Sequence, residues 1–218
     1  MEQNLELIYD KRFAGSEEER AKVWRVLTRY FFQRWVRSGA AVLDVGAGYC
    51  EFINNIQAEG KYALDLNPAT AERAGAEVKV LAQDVTAVWP LASASINVVF
   101  SSNFFEHLPT KDALQQCLRE ASRVLRPGGT LLAMGPNIRF CYDLYWDFFD
   151  HLLPLSDRSL AEALELSGLK VERIVPRFLP FTMKGKKPPP AALIRAYLQL
   201  PVLWRFMGKQ FLVVARKP

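Results

Sequence analysis

Cysteine, histidine and long apolar runs are what this sequence has least of, and each shortage excludes something. The three cysteines, Cys50, Cys117 and Cys141, are odd in number and far apart, with no CxxC and no adjoining histidine pair. Neither a disulfide framework nor a metal site is supported, so no metal ligand is expected and the cytoplasm, a reducing compartment, is the expected location. Only His107 and His151 titrate near neutrality without large shifts, which leaves few candidates for acid–base work. The most apolar late stretch, residues 191–207, is interrupted by Arg195, Pro201 and Arg205 and falls short of the roughly 20 residues of a membrane span. Residues 1–10 are acidic and mixed where a signal peptide is basic and then apolar, so export by that route is not expected. There is no internal repeat and no long polar tract of the kind that stays disordered.

What is present suits one globular domain. Half of the 218 residues are apolar and fewer than a quarter charged, enough to remove roughly 70% of the unfolded surface from water. The formal charge of +5 is unevenly placed: from Lys170 onward there are eleven Lys or Arg against the single acid Glu172. Arg177, Phe178, Phe181, Lys184, Lys186 and Lys187 weakly suggest the basic and aromatic mixture of a nucleic-acid face; a solvated face or an anionic substrate fits as well.

Periodicity organises the chain. Ser16 with Glu19 reads as a capping box, followed by Val23, Leu27, Tyr30, Phe31 and Trp35 at helical spacing up to Gly39. Apolar runs of strand length then stand at residues 40–45, 62–66, 78–81, 96–100 and 130–134, separated by helical stretches; this alternation predicts a parallel sheet. A helix over residues 111–125 is expected to stop at Arg126-Pro127-Gly128-Gly129. Later come an aromatic segment at residues 140–149, a helix capped by Ser156 and ending at Gly168, a strand at residues 169–175, prolines 188–190, a further helix and a seventh strand at residues 210–215. The fold class is therefore α/β, a Rossmann-like seven-stranded mostly parallel sheet with helices on both faces. The single domain, 1–218, divides into an N-terminal helical cap (1–39), a cofactor-binding half (40–135) and an acceptor side with lid and last strands (136–218).

The chemistry gathers after the first strands. Asp44-Val45-Gly46-Ala47-Gly48 makes a tight turn after strand one, exposing backbone N–H groups and admitting a ligand close to the main chain. A dinucleotide turn would want a small residue where Glu51 stands; a ligand with an ammonium and a sulfonium gains from Asp44 instead. Asp65 closes strand two, about twenty residues beyond the turn, where a carboxylate accepts both ribose hydroxyls, and Asp84 closes strand three, in reach of an adenine amino group. The three acids are expected to converge on one crevice.

With Ser101-Ser102-Asn103-Phe104-Phe105-Glu106-His107-Leu108 and the Arg-Pro-Gly-Gly turn added in order and spacing, residues 42–134 resemble the class I S-adenosylmethionine-dependent methyltransferases. The resemblance implies six parallel strands and one antiparallel, with S-adenosylmethionine as cofactor. Gly46 and Gly48 would border its methionine part, Asp65 its ribose, Asp84 and Val85 its adenine, and Ser101 would lie near the amino group, with Asp44, Ala47 and Leu66 completing the expected cofactor-binding set. Tyr9, Arg12 and Phe13 would fold over it. One departure is Cys50, where many members carry a third glycine; it is expected to fall in a helix's first turn.

On the acceptor side His151 is the better base candidate, against the alternative that it only bonds the backbone, while the resemblance makes His107 part of the scaffold. Phe140, Tyr142, Tyr145, Trp146 and Phe149 either pack the lid or line an acceptor pocket. DNA is disfavoured, because no Asn or Asp followed by Pro-Pro and an aromatic follows strand four. The expected activity is methyl transfer, O-methylation first, to a small or lipid-linked acceptor. Its rivals are a nucleotide-binding oxidoreductase and a cofactor-binding partner protein without catalysis. Residues 176–207 pair basic with apolar and aromatic side chains, an expected peripheral contact with an anionic membrane or, alternatively, a structural lid.

Overall fold

A computed structural model describes residues 17–181 and 188–218. The apolar runs become β1 (Ala41–Val45), β2 (Gly60–Leu64), β3 (Val78–Leu81), β4 (Ile96–Ser102), β5 (Leu125–Pro136), β6 (Lys170–Val175) and β7 (Gln210–Arg216). They form one seven-stranded sheet in the order β3-β2-β1-β4-β5-β7-β6. Strand β7 runs antiparallel to β5 and β6, and the remaining pairings are parallel. The Rossmann-like α/β fold expected from the sequence is thus the one observed.

Alternation along the strands builds two cores, one on each face. On β7, Phe211, Val213 and Ala215 enter the first core while Leu212 and Val214 enter the second. The first core is covered by α3 (Lys111–Val124) and α5 (Asp157–Leu166) through Leu114, Leu118, Leu160 and Leu164. The second is covered by α1 (Glu17–Tyr30), α6 (Ala191–Gln199) and α7 (Pro201–Met207) through Val26, Leu27, Leu198 and Trp204. Two short helices, α2 (Ala69–Arg73) and α4 (Ile138–Tyr145), follow β2 and β5. The second core is rich in aromatics, with Phe52 and Phe100 stacked at 3.7 Å and Phe178 lying between Phe31 and Trp204.

Local chemistry sets the boundaries. The Thr110 hydroxyl accepts from the Ala113 amide to start α3, and Ser156 and Ser159 form a reciprocal cap on α5. Strand β5 begins at Leu125, five residues before the apolar run at 130, because Leu125 pairs with Ile96 before the Pro-Gly-Gly irregularity shifts the register. Glu19 lies in α1, whereas its expected capping partner Ser16 lies outside the described residues, as do Tyr9, Arg12 and Phe13.

One local expectation is overturned. Cys50 does not sit in a helix's first turn: residues 51–55 form only hydrogen-bonded turns, and Cys50 has φ +59°. Gly46 and Gly48 are also left-handed, so the chain makes three such steps within five residues before it can turn back along the sheet. Cys50 therefore occupies a conformation that glycine adopts without strain. Its burial and the Sγ contact to the Thr70 carbonyl at 3.6 Å hold it there.

Candidate active site

Strand order reverses between β1 and β4, and the crevice beyond their carboxyl ends is where open α/β sheets bind ligands. The glycine turn closes that end of β1. The Gly46 amide donates to the Leu64 carbonyl at 2.9 Å, tying the turn to β2. The Gly48 amide donates to Asp65 Oδ2 at 2.7 Å, and the Asn67 amide to Oδ1 at 2.8 Å. A Cβ at Gly46 would overlap the Phe104 ring, so glycine is required there by contact as well as by φ. Phe104, absent from the sequence-derived site, borders the turn; nothing in the sequence pattern distinguishes it from its neighbour Phe105, which is core.

The acids make the end of β1 anionic. Asp44 is fully buried, and desolvation, reinforced by the nearby Asp65 and Glu51 carboxylates, raises its pKa well above the ordinary range against a hydrogen bond from the Ile53 amide. Burial likewise raises Asp65, against hydrogen bonds from the amides of Asn67, Gly48 and Leu66. Glu51 is raised by burial too, although Arg20 of α1 holds it at 2.7 Å. Neither Asp44 nor Asp65 has a cationic partner among the described residues. A cationic ligand would supply the missing countercharge, and Asp65, with three of its about four lone-pair sites taken by backbone amides, keeps one for a ligand hydroxyl. The buried Asn67 Nδ2 has no acceptor among the described residues and adds a donor beside Asp65. The donor set thus fits an amino-acid nucleoside carrying a sulfonium.

The other candidate residues are less concentrated than expected. Asp44 and Asp65 converge with Glu51, but Asp84 is exposed and its Oδ1 accepts from the amide and hydroxyl of Thr86, capping its own turn. Val85 is core, its carbonyl accepting from Trp89 Nε1, while Leu66 is exposed at the lip beyond β2. Ala47 is buried in the second core. Ser101 is buried, and its hydroxyl donates to the Val45 carbonyl at 2.9 Å, fastening β4 to β1 at the floor of the crevice.

Beyond β4 and β5 the structure joins what the sequence keeps apart. His107 and His151 face each other with ring centroids 5.1 Å apart. His151 is buried, stacked on Phe148 at 4.7 Å and 4.6 Å from the Tyr145 ring. Tyr145 is wholly buried, its hydroxyl donating to the Leu153 carbonyl at 2.8 Å. The Asp150 carboxylate lies 3.2 Å from His107 Nδ1, whose other neighbour is the Asp150 carbonyl at 2.9 Å. Glu106 completes the group: one ligand atom each from Glu106, His107 and His151 lie within 4.8 Å of one another. The sequence alone points to no metal ligand and keeps the two histidines apart, because more than forty residues separate them. The nucleic-acid pattern fails in part, because Phe178 is core and Arg177 is committed to the Gly208 and Phe206 carbonyls; Lys184, Lys186 and Lys187 lie outside the described residues.

Residues 43–133 match the family model of a methyltransferase domain. A curated relative, malonyl-[acyl-carrier protein] O-methyltransferase 1 of Coxiella burnetii, is 32% identical over 142 residues, covering 61% of this chain and 47% of that protein. The matched segment is a methyltransferase domain, and the chain resembles the class I S-adenosylmethionine-dependent methyltransferases. Among solved structures the methyltransferase fold recurs in a chain of the complex between the Haloferax volcanii Trm112 methyltransferase activator and a methyltransferase. That match has TM-score 0.69 and 20% identity, covering 97% of this chain and 96% of that one. It recurs in a methyltransferase from Archaeoglobus fulgidus with TM-score 0.66 and 20% identity, covering 97% and 99%. The cofactor of the family is S-adenosylmethionine, in agreement with the anionic crevice. The chain spans about half the length of its curated relative.

Proposed function

We propose that this methyltransferase moves a methyl group from S-adenosylmethionine to a hydroxyl oxygen of a small or lipid-linked acceptor. The observation that carries the reading is the pairing of Asp65 with the Gly48 amide beside buried Asp44, an anionic cradle at the switch point of the sheet. In that cradle Gly46 and Gly48 would border the methionine part and Asp65 the ribose, with Ala47, Leu66 and Ser101 around them, while Asp84 and Val85, just beyond β3, would flank the adenine. Bound S-adenosylmethionine supplies an electrophilic methyl on a cationic sulfur. The chain contributes position and dryness, which give most of the acceleration of an in-line displacement. Bound cofactor would give its methyl to the acceptor oxygen and leave as S-adenosylhomocysteine, while His151 would take the proton that the hydroxyl gives up and pass it to water. The wall of Tyr145 and Phe148 around His151 supports an apolar approach to that base. The O-methyltransferase named above favours oxygen as the attacking atom. Three free, buried cysteines support a reducing, cytoplasmic setting.

The test is transfer of labelled methyl from S-adenosylmethionine into small hydroxy acids, acyl-carrier conjugates and lipid-linked glycans, with the product identified by mass spectrometry. His151→Gln should lower kcat on the accepted substrate by ~100-fold, the usual worth of a general base, and remove the acidic limb of the pH profile. S-adenosylhomocysteine affinity should stay the same. Binding without turnover on any acceptor class would favour a partner protein that has lost catalysis.

A further inference from the structure

Glu106, His107 and His151 bring two imidazoles and a carboxylate to one place. One donor atom from each lies within 4.8 Å of the others; Glu106 and His151 are buried and His107 is part-buried. Backbone bonds join the two segments that carry them, the Leu152 and Leu153 amides both donating to the Glu106 carbonyl, at 2.8 and 2.9 Å. His107 follows Glu106 in a single 3-10 turn, Phe105–His107, just beyond β4. The Glu106 carboxylate reaches the end of β5, where a Cβ added at Gly135 would stand 3.4 Å from Oε2. The donors thus come from the joints between the sheet and the segment after α4, not from a solvated surface.

His107 is oriented as a metal ligand is. Its Nδ1 stands 2.9 Å from the Asp150 carbonyl and 3.2 Å from the Asp150 carboxylate, both acceptors, so Nδ1 carries the proton and Nε2 keeps the lone pair. Ligating histidines give their second ring nitrogen to a carboxylate or carbonyl in this way, which fixes the tautomer and makes the ligand more basic. His151 is held by stacking on Phe148 and by the Tyr145 ring, an aromatic wall that limits the access of water. Glu106 and Asp150 together carry the charge that balances a divalent ion.

We propose that Glu106, His107 and His151 bind one divalent first-row transition-metal ion such as Zn²⁺. Two imidazoles and one carboxylate suit Zn²⁺, Co²⁺, Ni²⁺ or Fe²⁺, whereas Mg²⁺ and Ca²⁺ take oxygen ligands. Three protein donors leave a further position for water or another oxygen. Donors about 2.1 Å from one tetrahedral ion stand about 3.4 Å apart, so the widest pair closes by about 1.4 Å at most on binding, an adjustment open to the part-buried His107 ring. The inference goes beyond the methyl-transfer reading and limits it. An ion takes the His151 lone pair that would accept the hydroxyl proton, so the two uses of His151 exclude each other.

The experiment is titration of the chelator-treated full chain, free of any polyhistidine tag, with Zn²⁺ by calorimetry and with Co²⁺ by visible absorption, S-adenosylhomocysteine binding being measured in parallel. One ion per chain should bind, and cobalt should show the spectrum of a nitrogen and oxygen site without thiolate charge-transfer bands. His107→Gln and His151→Gln should each weaken Zn²⁺ by at least ~100-fold, and Asp150→Asn by ~10-fold, since the carbonyl of residue 150 still receives Nδ1. The metal-free thermal midpoint and S-adenosylhomocysteine affinity show whether each variant is folded, and His107, the less buried ligand, still decides the matter if His151→Gln unfolds. Anomalous scattering at the zinc edge should place the ion ~2.1 Å from the three side chains. No binding by the native chain, thiolate bands from the buried cysteines, an ion located elsewhere, or native affinity in a folded His107→Gln variant overturns the proposal. Zn²⁺ binding by a native chain that binds no S-adenosylhomocysteine would instead remove the cofactor reading and leave the metal site standing.

Discussion

Asp65 serves two ends with one carboxylate. Its oxygens already accept from Gly48 and Asn67, and in doing so they hold the glycine turn in the shape that a cofactor needs. Asp65→Ala should therefore weaken S-adenosylhomocysteine binding by ~10- to 100-fold, since charge-assisted hydrogen bonds contribute about 1.5 to 3 kcal/mol each before water compensates. Calorimetry giving the native affinity would move the crevice elsewhere. The same acids predict a pH dependence. Burial raises Asp44, Asp65 and Glu51 in the free protein, so they favour the folded state at low pH, and that contribution is lost as pH rises through their raised values. A cationic ligand stabilises the carboxylates, lowers their pKa and releases protons. Affinity for S-adenosylmethionine should accordingly rise as pH increases above the ordinary carboxylate range, and more steeply than for S-adenosylhomocysteine, which lacks the sulfonium. Calorimetry in two buffers of different ionisation enthalpy would expose the proton release; a flat or falling affinity contradicts it.

Between elements, the joints are harder to read from sequence than the elements themselves. The strands are legible because each is an apolar run bounded by turn residues, and Asp44, Gly48 and Asp65 because glycines and strand-end acids stand at a telling spacing. The approach of His107 to His151 is not, since it depends on how the segment after β5 folds back. Nor is the role of Asn137. At the end of β5 it caps α4, its side chain accepting from the Arg139 amide. The same buried side chain also donates to Asp157 Oδ1 at 2.7 Å and to the Pro176 carbonyl at 2.9 Å, joining β5, α4, the start of α5 and the exit of β6. Asn137→Ala leaves the buried Asp157 carboxylate with Arg139 as its remaining side-chain partner among the described residues and should cost about 3 kcal/mol. For a domain of this size that is a fall in thermal midpoint of roughly 6 to 12 °C. Scanning calorimetry would show it; a shift under about 2 °C would mean that the joint is held by packing alone.

Across the molecule, charge and ligand choice are connected. The basic end lies beyond Lys170, whereas the acids of the cofactor crevice belong to the first half of the chain, with Glu51 clamped by Arg20 from α1. That clamp adds to the turn a residue too large for the third glycine of a dinucleotide site, and the uncompensated Asp44 and Asp65 beside it repel a pyrophosphate. Ligands that bind only the folded state stabilise it by mass action, by about 2.7 kcal/mol at a hundredfold excess over Kd. S-adenosylhomocysteine at that excess should raise the thermal midpoint by roughly 5 to 10 °C, given about 2 to 4 °C per kcal/mol for a domain of this length. NADH at the same concentration should leave it unmoved. The comparison is decisive because both ligands carry adenosine, so a general affinity for adenine nucleosides would shift both. Stabilisation by NADH equal to that by S-adenosylhomocysteine would show that the crevice tolerates phosphate despite its buried acids, and the electrostatic account of its selectivity would be wrong.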